Sequence, residues 1–242
     1  MPGVGPAASM GMRPPLVGAP PPGYVNYGAA PASRPQPTVA RWATLLGFAG
    51  VTAFAAMLGR QAYGRGTIAA DVFNGRATLA DIQKADDLVQ RLAITVIGVQ
   101  VLAAIMLAVW SHRTARNAAT RFPRAGVRTG AAAGGWFIPI ANYFLPWSAL
   151  REACRACGDS APGSLAVWQF LFVGQAVVNL IARRDPQLSA GMTQTEVVDV
   201  LHQQGLWFYG MTLVLAIGTL AAASAMRSID RLTSGAAVNE AT

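Results

Sequence analysis

The chain has 242 residues, of which 53% are hydrophobic and only 12% are charged. Soluble domains carry about 25% charged residues, so this composition argues against a water-soluble fold and excludes a disordered chain. Nineteen basic and eleven acidic residues give a formal net charge of +8. The two cysteines are too few for a disulfide framework.

The first 40 residues differ in composition from the rest of the chain. Residues 1–40 contain ten of the fifteen prolines and only two charged residues, Arg13 and Arg34. Such a stretch buries too little apolar surface to offset its chain entropy, so we predict a disordered cytoplasmic tail with polyproline II character. It lacks the basic start and the apolar run of a signal peptide. We expect the tail to act as a tether or to dock a protein partner.

Four uncharged apolar runs of eighteen to twenty-one residues follow the tail. As helices they cover about 27–32 Å each, which is the thickness of a bilayer's hydrocarbon core. A charge at the centre of a span costs about 2.5–3.5 kcal/mol, so runs without charges are typical of transmembrane helices. We predict an all-α membrane domain over residues 41–232, a disordered tail at 233–242, and spans at 42–59, 92–110, 164–182 and 206–226.

A fifth apolar segment, residues 130–146, is interrupted by Pro139 and Pro146, with Asn142 between them. Proline removes a helical hydrogen bond and clashes with the preceding turn, so this segment is either a short kinked span or a re-entrant loop. Irregular backbone at membrane depth must have its polar groups satisfied by protein or by a polar cavity. We expect Asn142, His112 or Arg113 to supply the donors. The result is either a polar pocket open to the cytoplasm or a self-satisfied structural kink.

The link after the second predicted span carries five arginines and no acid. Such links stay cytoplasmic, which predicts a plasma-membrane protein with both termini inside, provided that 130–146 returns to the same side. On that topology the cytoplasmic segments carry +8 and the external segments zero. We predict that the link binds anionic lipid headgroups rather than nucleic acid, which would need stacking aromatics. The alternative is that its arginines only set the topology; they are Arg113, Arg116, Arg121, Arg124 and Arg128.

Residues 150–157 predict an amphipathic helix at the membrane interface. The polar face carries Arg151, Glu152 and Arg155, and the apolar face carries Leu150, Ala153, Cys154 and Cys157. This spacing favours two buried cysteines. The alternative is a redox or metal site, which would need exposed thiolates.

Local patterns also predict where helices begin and how they pack. Thr78 with Asp81, and Thr193 with Glu196, fit the capping box that starts a helix. The first box would extend the second span outward as a polar stalk over residues 81–91. Small residues at helical spacing favour close helix approach, and glutamines inside the spans favour hydrogen bonds between helices. The small residues are Ala43 with Gly47 and Gly218 with Ala222, and the polar ones are Gln100, Gln169, Gln175 and Asn179.

Two strings carry a family resemblance. They are W-x-H-R-x-x-x-N at 110–117 and G-W-x-x-P-x-x-N-x-x-x-P at 135–146, with a charged helix after them. Over about residues 40–226 the chain resembles an actinobacterial membrane family known as domain of unknown function 4328. It departs from that pattern at Cys154 and Cys157, where Trp and Ser are usual. The resemblance implies a multi-pass membrane protein and no activity.

The sequence contains no hydrolase, zinc-protease or Walker motif and no charged residue inside a span. We therefore predict a non-enzymatic envelope scaffold that binds partners or lipids without catalytic residues, cofactor or metal; the oligomeric state stays open. The alternative is a small transporter or channel that uses 130–146, and the third is a redox protein that uses Cys154 and Cys157. The candidate residues of the polar pocket or kink are His112, Arg113, Asn117, Trp136, Pro139, Asn142, Pro146, Arg151, Glu152 and Arg155.

Overall fold

The computed structural model describes residues 38–182 and 191–234, and the side chains of 178–182 are not among the described atoms. Most of the predicted tails, and the predicted role of Asn179, therefore lie outside the described residues. At both tail boundaries the helices are longer than predicted. Residues 38–40 already belong to the first helix, and residues 233–234 still belong to the last one.

The described part of the chain is helical and contains no strand. Short 3₁₀ turns at Pro123–Ala125, Gly135–Phe137 and Ala141–Tyr143 connect some of the helices. The six α-helices are α1 (Thr38–Phe73), α2 (Leu79–Arg121), α3 (Thr129–Gly134), α4 (Leu145–Ala156), α5 (Gly163–Ala182) and α6 (Gln194–Ser234).

Three helices, α1, α2 and α6, are long and apolar enough to cross a membrane. Their 36, 43 and 41 residues correspond to about 54–65 Å, so each extends well beyond the hydrocarbon core of a bilayer. In α5 the described apolar stretch, Gly163–Val177, is shorter than a span. The span over 164–182 therefore stays a prediction.

The long helices expose their apolar side chains. Only 11% of the most apolar window of α6 is buried inside the protein, and Leu220 is 71% exposed. Water-soluble monomers do not leave such continuous apolar surface uncovered. The surface suits hydrocarbon chains, and the exposed side chains on α2 and α6 include Ile94, Ile97, Leu102, Leu206 and Leu213.

Capping boxes begin α2 and α6, as the sequence predicts. The Oδ2 of Asp81 accepts hydrogen bonds from the backbone N and Oγ1 of Thr78 at 3.0 and 2.8 Å. Glu196 accepts from the same two atoms of Thr193 at 2.7 and 2.9 Å. These hydrogen bonds lower the pKa of both carboxyl groups. The polar stalk over 81–91 is therefore confirmed as the first three turns of α2.

Helix α1 packs against both α2 and α6. A Cβ atom on Gly47 would lie 2.7 Å from the Cβ of Ala103, which confirms the close approach predicted there. The prediction for Gly218 is wrong, because nothing lies within 4 Å of its missing Cβ. Gly218 lines a cavity instead.

Candidate functional site

The segment over 130–146 forms a helical hairpin with α4, and the chain reverses between Gly135 and Phe144. On the way in, α3 lies along α2, where Ala132 packs beside Ala115 and the Nε1 of Trp136 donates to the Oγ of Ser111 at 3.0 Å. On the way out, α4 packs against α2 and α3. Both ends of this hairpin lie beside the same end of α2, because Arg128 at the start of α3 bonds to Glu152 near the end of α4.

The bend of the hairpin is satisfied by donors that the sequence analysis did not identify. The carbonyl of Asn142 accepts from the Nε1 of Trp147 at 3.1 Å, and the carbonyl of Tyr143 accepts from the Nε2 of Gln169 at 3.0 Å. The expectation that His112 or Arg113 supplies these donors is wrong. His112 lies 3.3 Å from the carbonyl of Thr129, near the start of α3, and Arg113 is exposed.

The backbone at the tip of the hairpin is strained. Ile140 has φ +69° and ψ −50°, and the N of Ala141 donates to the carbonyl of Pro139 at 2.8 Å. This is a γ-turn with positive φ, which is rare for any residue and costly for a β-branched one. Ile140 is 74% exposed at this tip. Apolar neighbours share the exposure, namely Phe137, Ile138 and Phe144.

A cluster of aromatic rings joins the hairpin to α5. The ring of Trp147 lies edge-on to Trp136 and Trp168, with centroids 5.2 and 4.8 Å apart. Phe172 extends the cluster at 6.0 Å from Trp136. Such edge-to-face pairs add about 0.5–1.5 kcal/mol each beyond their buried area. The cluster therefore fixes the hairpin on the bundle.

A cavity of about 380 Å³ lies between α2 and α5, next to the hairpin. The two helices have no extensive interface with each other in the described residues, while α1 and α6 form the remaining walls. Among the described residues most of the lining is apolar or aromatic, and none of its side chains is charged. The polar side chains that line it are those of Gln100, Asn142, Gln175 and Thr219, together with Tyr143, whose ring carries a hydroxyl group.

Asn142 has a buried side-chain oxygen, Oδ1, with no donor in the described structure. Asn142 and Trp136 both line the cavity. The strings at 110–117 and 135–146 singled out both residues. They gave no sign of Trp168 and Phe172, because these come from α5, where an aromatic residue in an apolar run carries no separate signal.

The other predicted pocket residues do not reach the cavity. Arg151 donates to the side chain of Gln169, which itself donates to the bend at Tyr143. Glu152 pairs with Arg128, and Arg155 is exposed. Pro139 is exposed at the tip, and Pro146 is buried in the first turn of α4. Asn117 is half-buried on α2. Of the predicted pocket residues, only Trp136 and Asn142 line the cavity; the others lie in the hairpin or on the helices packed against it.

Three helices, α1, α2 and α6, meet at a buried ion pair, which the sequence analysis missed. Asp230 on α6 is 1% exposed and accepts from the Nη1 of Arg41 at 2.8 Å and from the Nε1 of Trp110 at 3.0 Å. Nearby, Arg121 donates to the carbonyls of Leu232 and Thr233. We call this end of the bundle, with the five arginines of the 111–129 link, the arginine-rich end.

The five arginines of the link differ in their surroundings. Arg121 binds the end of α6, and Arg128 binds Glu152, where the guanidinium lowers the pKa of the carboxyl. Arg113 and Arg116 are exposed on α2, and no ion pair described in the structure engages them. Arg124 is also exposed.

The two cysteines lie in the last turn of α4 and directly after it, and both are at least half-buried. Cys154 is fully buried, and burial raises the pKa of its thiol to about 12. Burial also raises the pKa of the half-buried Cys157 thiol. The amphipathic pattern of α4 was predicted, and its apolar face packs in the core cluster with Trp136, Trp168 and Met226. Its position at the membrane interface stays a prediction. Neither thiol has the lowered pKa of a redox-active cysteine.

The model of the family described as Domain of unknown function (DUF4328) matches residues 74–234, about two-thirds of the chain. The chain belongs to this family. The DUF4328 region starts directly after α1 and ends with α6, so the resemblance does not extend back to residue 40. It contains the hairpin and three walls of the cavity, while α1 adds Phe48 and Val51. No curated protein and no solved structure matches the chain.

Proposed function

We propose that this DUF4328 protein is a non-enzymatic scaffold of the plasma membrane that binds anionic lipid headgroups at its arginine-rich end. In this proposal α1, α2, α5 and α6 span the membrane, the hairpin is re-entrant, and both termini are cytoplasmic. The observation that carries it is the exposure of Arg113 and Arg116 directly after the apolar run of α2, which ends at Trp110.

The position of these arginines supports lipid binding. They follow the apolar window by one turn, and a base held near an anionic leaflet gains about 1 kcal/mol. The pair of Arg41 with Asp230 and the bonds of Arg121 fix the surrounding helix ends, so the exposed charges have a rigid support. A preorganised charged surface loses less entropy when it binds.

The same end of the bundle suits a protein partner. Helix α1 begins at Thr38, close to Arg41, and the proline-rich segment precedes it in the sequence. In the proposed topology a partner of that segment binds on the same side of the membrane as the lipid headgroups. The scaffold proposal therefore combines both binding elements on one side of the membrane.

Lipid co-purification tests the proposal. The full chain is reconstituted in nanodiscs of phosphatidylcholine with phosphatidylglycerol, and bound phosphatidylglycerol is measured by native mass spectrometry. We expect Arg113→Gln with Arg116→Gln to weaken binding about thirtyfold, because two bases contribute about 1 kcal/mol each. The control is Arg60→Gln with Arg91→Gln, two exposed arginines on α1 and α2 far from this end, which should have a smaller effect. Equal effects of both pairs would overturn the proposal.

The cavity beside the hairpin favours a second candidate, a small transporter or channel. Broken helices at membrane depth occur at the substrate sites of transporters, and the bend places Asn142 at the cavity. In liposomes containing the protein, a solute leak that Asn142→Leu abolishes would favour this candidate. Liposomes that contain the protein and show no solute leak would argue against the transporter or channel and favour the scaffold.

A further inference from the structure

We infer that the cavity between α2 and α5 binds an uncharged lipid with a free hydroxyl group, of the class of a monoacylglycerol or a long-chain alcohol. This site is separate from the arginine-rich end. The inference therefore does not depend on binding of anionic lipid there.

The walls of the cavity suit an acyl chain that enters from the bilayer. Its volume of about 380 Å³ falls in the range of small-molecule sites, and the lining includes Leu107, Leu171 and Val214. The surface of α2 and α5 around it exposes Val101 and Phe170, so the cavity adjoins a lipid-facing surface. A ligand dissolved in the membrane can reach such a site without passing through water.

The polar groups that line the cavity determine which lipid headgroup it can bind. The Oδ1 of Asn142 is a buried acceptor without a donor, and a buried polar atom left unpaired costs about 1–3 kcal/mol. A hydroxyl group supplies the missing donor. Tyr143, beside Asn142, also lines the cavity, and its hydroxyl offers a donor and an acceptor to the remaining oxygens of a glycerol head. The amides of Gln100 and Gln175 add polar groups elsewhere on the lining.

Charged heads do not suit this cavity. Among the described residues no basic side chain lines it, which disfavours a phosphate or carboxylate group, and no acidic one does either. Aromatic rings alone can attract a quaternary ammonium group, but here the rings pack edge to face against one another. The chemistry of the lining therefore favours a neutral donor over a cation.

Because Gly218 has no side chain, part of the cavity stays open for a ligand. It lines the cavity on α6, and nothing lies within 4 Å of the position of its missing Cβ. A larger side chain there would fill the cavity without a clash against the backbone. Gly210, two turns earlier on the same exposed helix, has equally open surroundings but does not line the cavity. The two glycines form a matched pair for a test.

The test uses the full chain in phosphatidylcholine nanodiscs, with dibrominated monoolein as the probe and quenching of tryptophan fluorescence as the readout. We expect saturable quenching, and about fivefold weaker binding of the matching dibrominated methyl ester, which lacks the hydroxyl donor. Gly218→Leu should abolish the saturable component, whereas Gly210→Leu should keep it. Ala104→Leu, on the wall formed by α2, should repeat the loss if Gly218→Leu fails to fold.

Asn142→Leu tests the hydrogen bond separately. It should reduce the preference for monoolein over the methyl ester to near unity while some quenching remains. Quenching that is unaffected by Gly218→Leu and Ala104→Leu would place the probe on the outer surface and overturn the inference. Tighter binding of dibrominated oleate, or competition by a soluble short-chain phosphocholine but not by monoolein, would also overturn it.

Discussion

Asp230 is the single residue on which the arginine-rich end depends most. Its carboxylate is almost fully buried and joins Arg41 of α1 and Trp110 of α2 to α6. A buried ion pair adds little over an apolar replacement, but removing one partner leaves the other charge uncompensated. This pair is not predictable from a local pattern, since 189 residues separate Arg41 from Asp230 in the chain.

We expect Asp230→Asn to destabilise the bundle by about 3 kcal/mol, because Arg41 would lose its carboxylate in a largely buried site. Denaturation in mixed micelles measures the change. The matched control is Asp86→Asn, which breaks the more exposed pair with Arg65 and should cost less than about 1 kcal/mol. Equal losses in the two variants would contradict the role given to Asp230.

The two thiols of α4 should differ in reactivity. Cys154 is fully buried with a pKa of about 12, so almost no thiolate forms at neutral pH, whereas Cys157 is half-buried. In intact nanodiscs at pH 7, the variant Cys157→Ser should resist maleimide, and Cys154→Ser should label slowly. Both should label fully once the protein is unfolded in detergent. Rapid labelling of native Cys154 would revive the redox hypothesis.

Helices α1 and α6 form the most extensive helix–helix interface of the described bundle. The two helices pack along most of their length, from Arg41 with Asp230 at one end to the stacked rings of Tyr63 and His202, 4.5 Å apart, towards the other. Gly205 permits this approach, since a Cβ there would lie 2.6 Å from the Cα of Tyr63. The sequence predicted a span in each helix but not their pairing, because small residues favour close approach without specifying which neighbouring helix they meet.

We expect Gly205→Ala to lower stability by about 1–3 kcal/mol, since the added methyl group meets the backbone of α1 and forces the helices apart. Gly210→Ala is the matched control on the same helix, because nothing lies within 4 Å of its missing Cβ. Thermal unfolding in detergent, followed by circular dichroism, compares the two. Identical melting curves would show that the close approach at Gly205 is not required.

The whole molecule combines an apolar belt with an arginine-rich end. Long exposed apolar surfaces on α1, α2 and α6 support insertion, and the helix ends near Asp230 gather the positive charge on one side. Reporter fusions after Ala161 and at Asn239 should both be cytoplasmic, with a fusion at Gly75 on the opposite side. Fusions at Ala161 and Asn239 on opposite sides would exclude the four-span topology, because α5 and α6 would then not both cross. A fusion at Ala161 on the same side as the one at Gly75 would exclude the re-entrant hairpin.

Patterns that act over a few residues were sufficient for much of the fold. Uncharged runs predicted the helices, capping boxes at Thr78 and Thr193 predicted two of their starts, and the prolines at 139 and 146 predicted a break between them. These features depend on hydropathy and on local hydrogen bonds. The two strings at 110–117 and 135–146 also led to the family.

What only the tertiary structure decided is which distant residues meet. The sequence alone determined a helical, membrane-type protein with a broken segment and a basic link. Packing then placed Asn142, Gln100 and Gln175 around one cavity, joined Asp230 to Arg41 and Trp110, and left Gly218 lining that cavity. The physical reason is that apolar helices can associate through several of their faces, and shape, rather than hydropathy, selects the faces that pack.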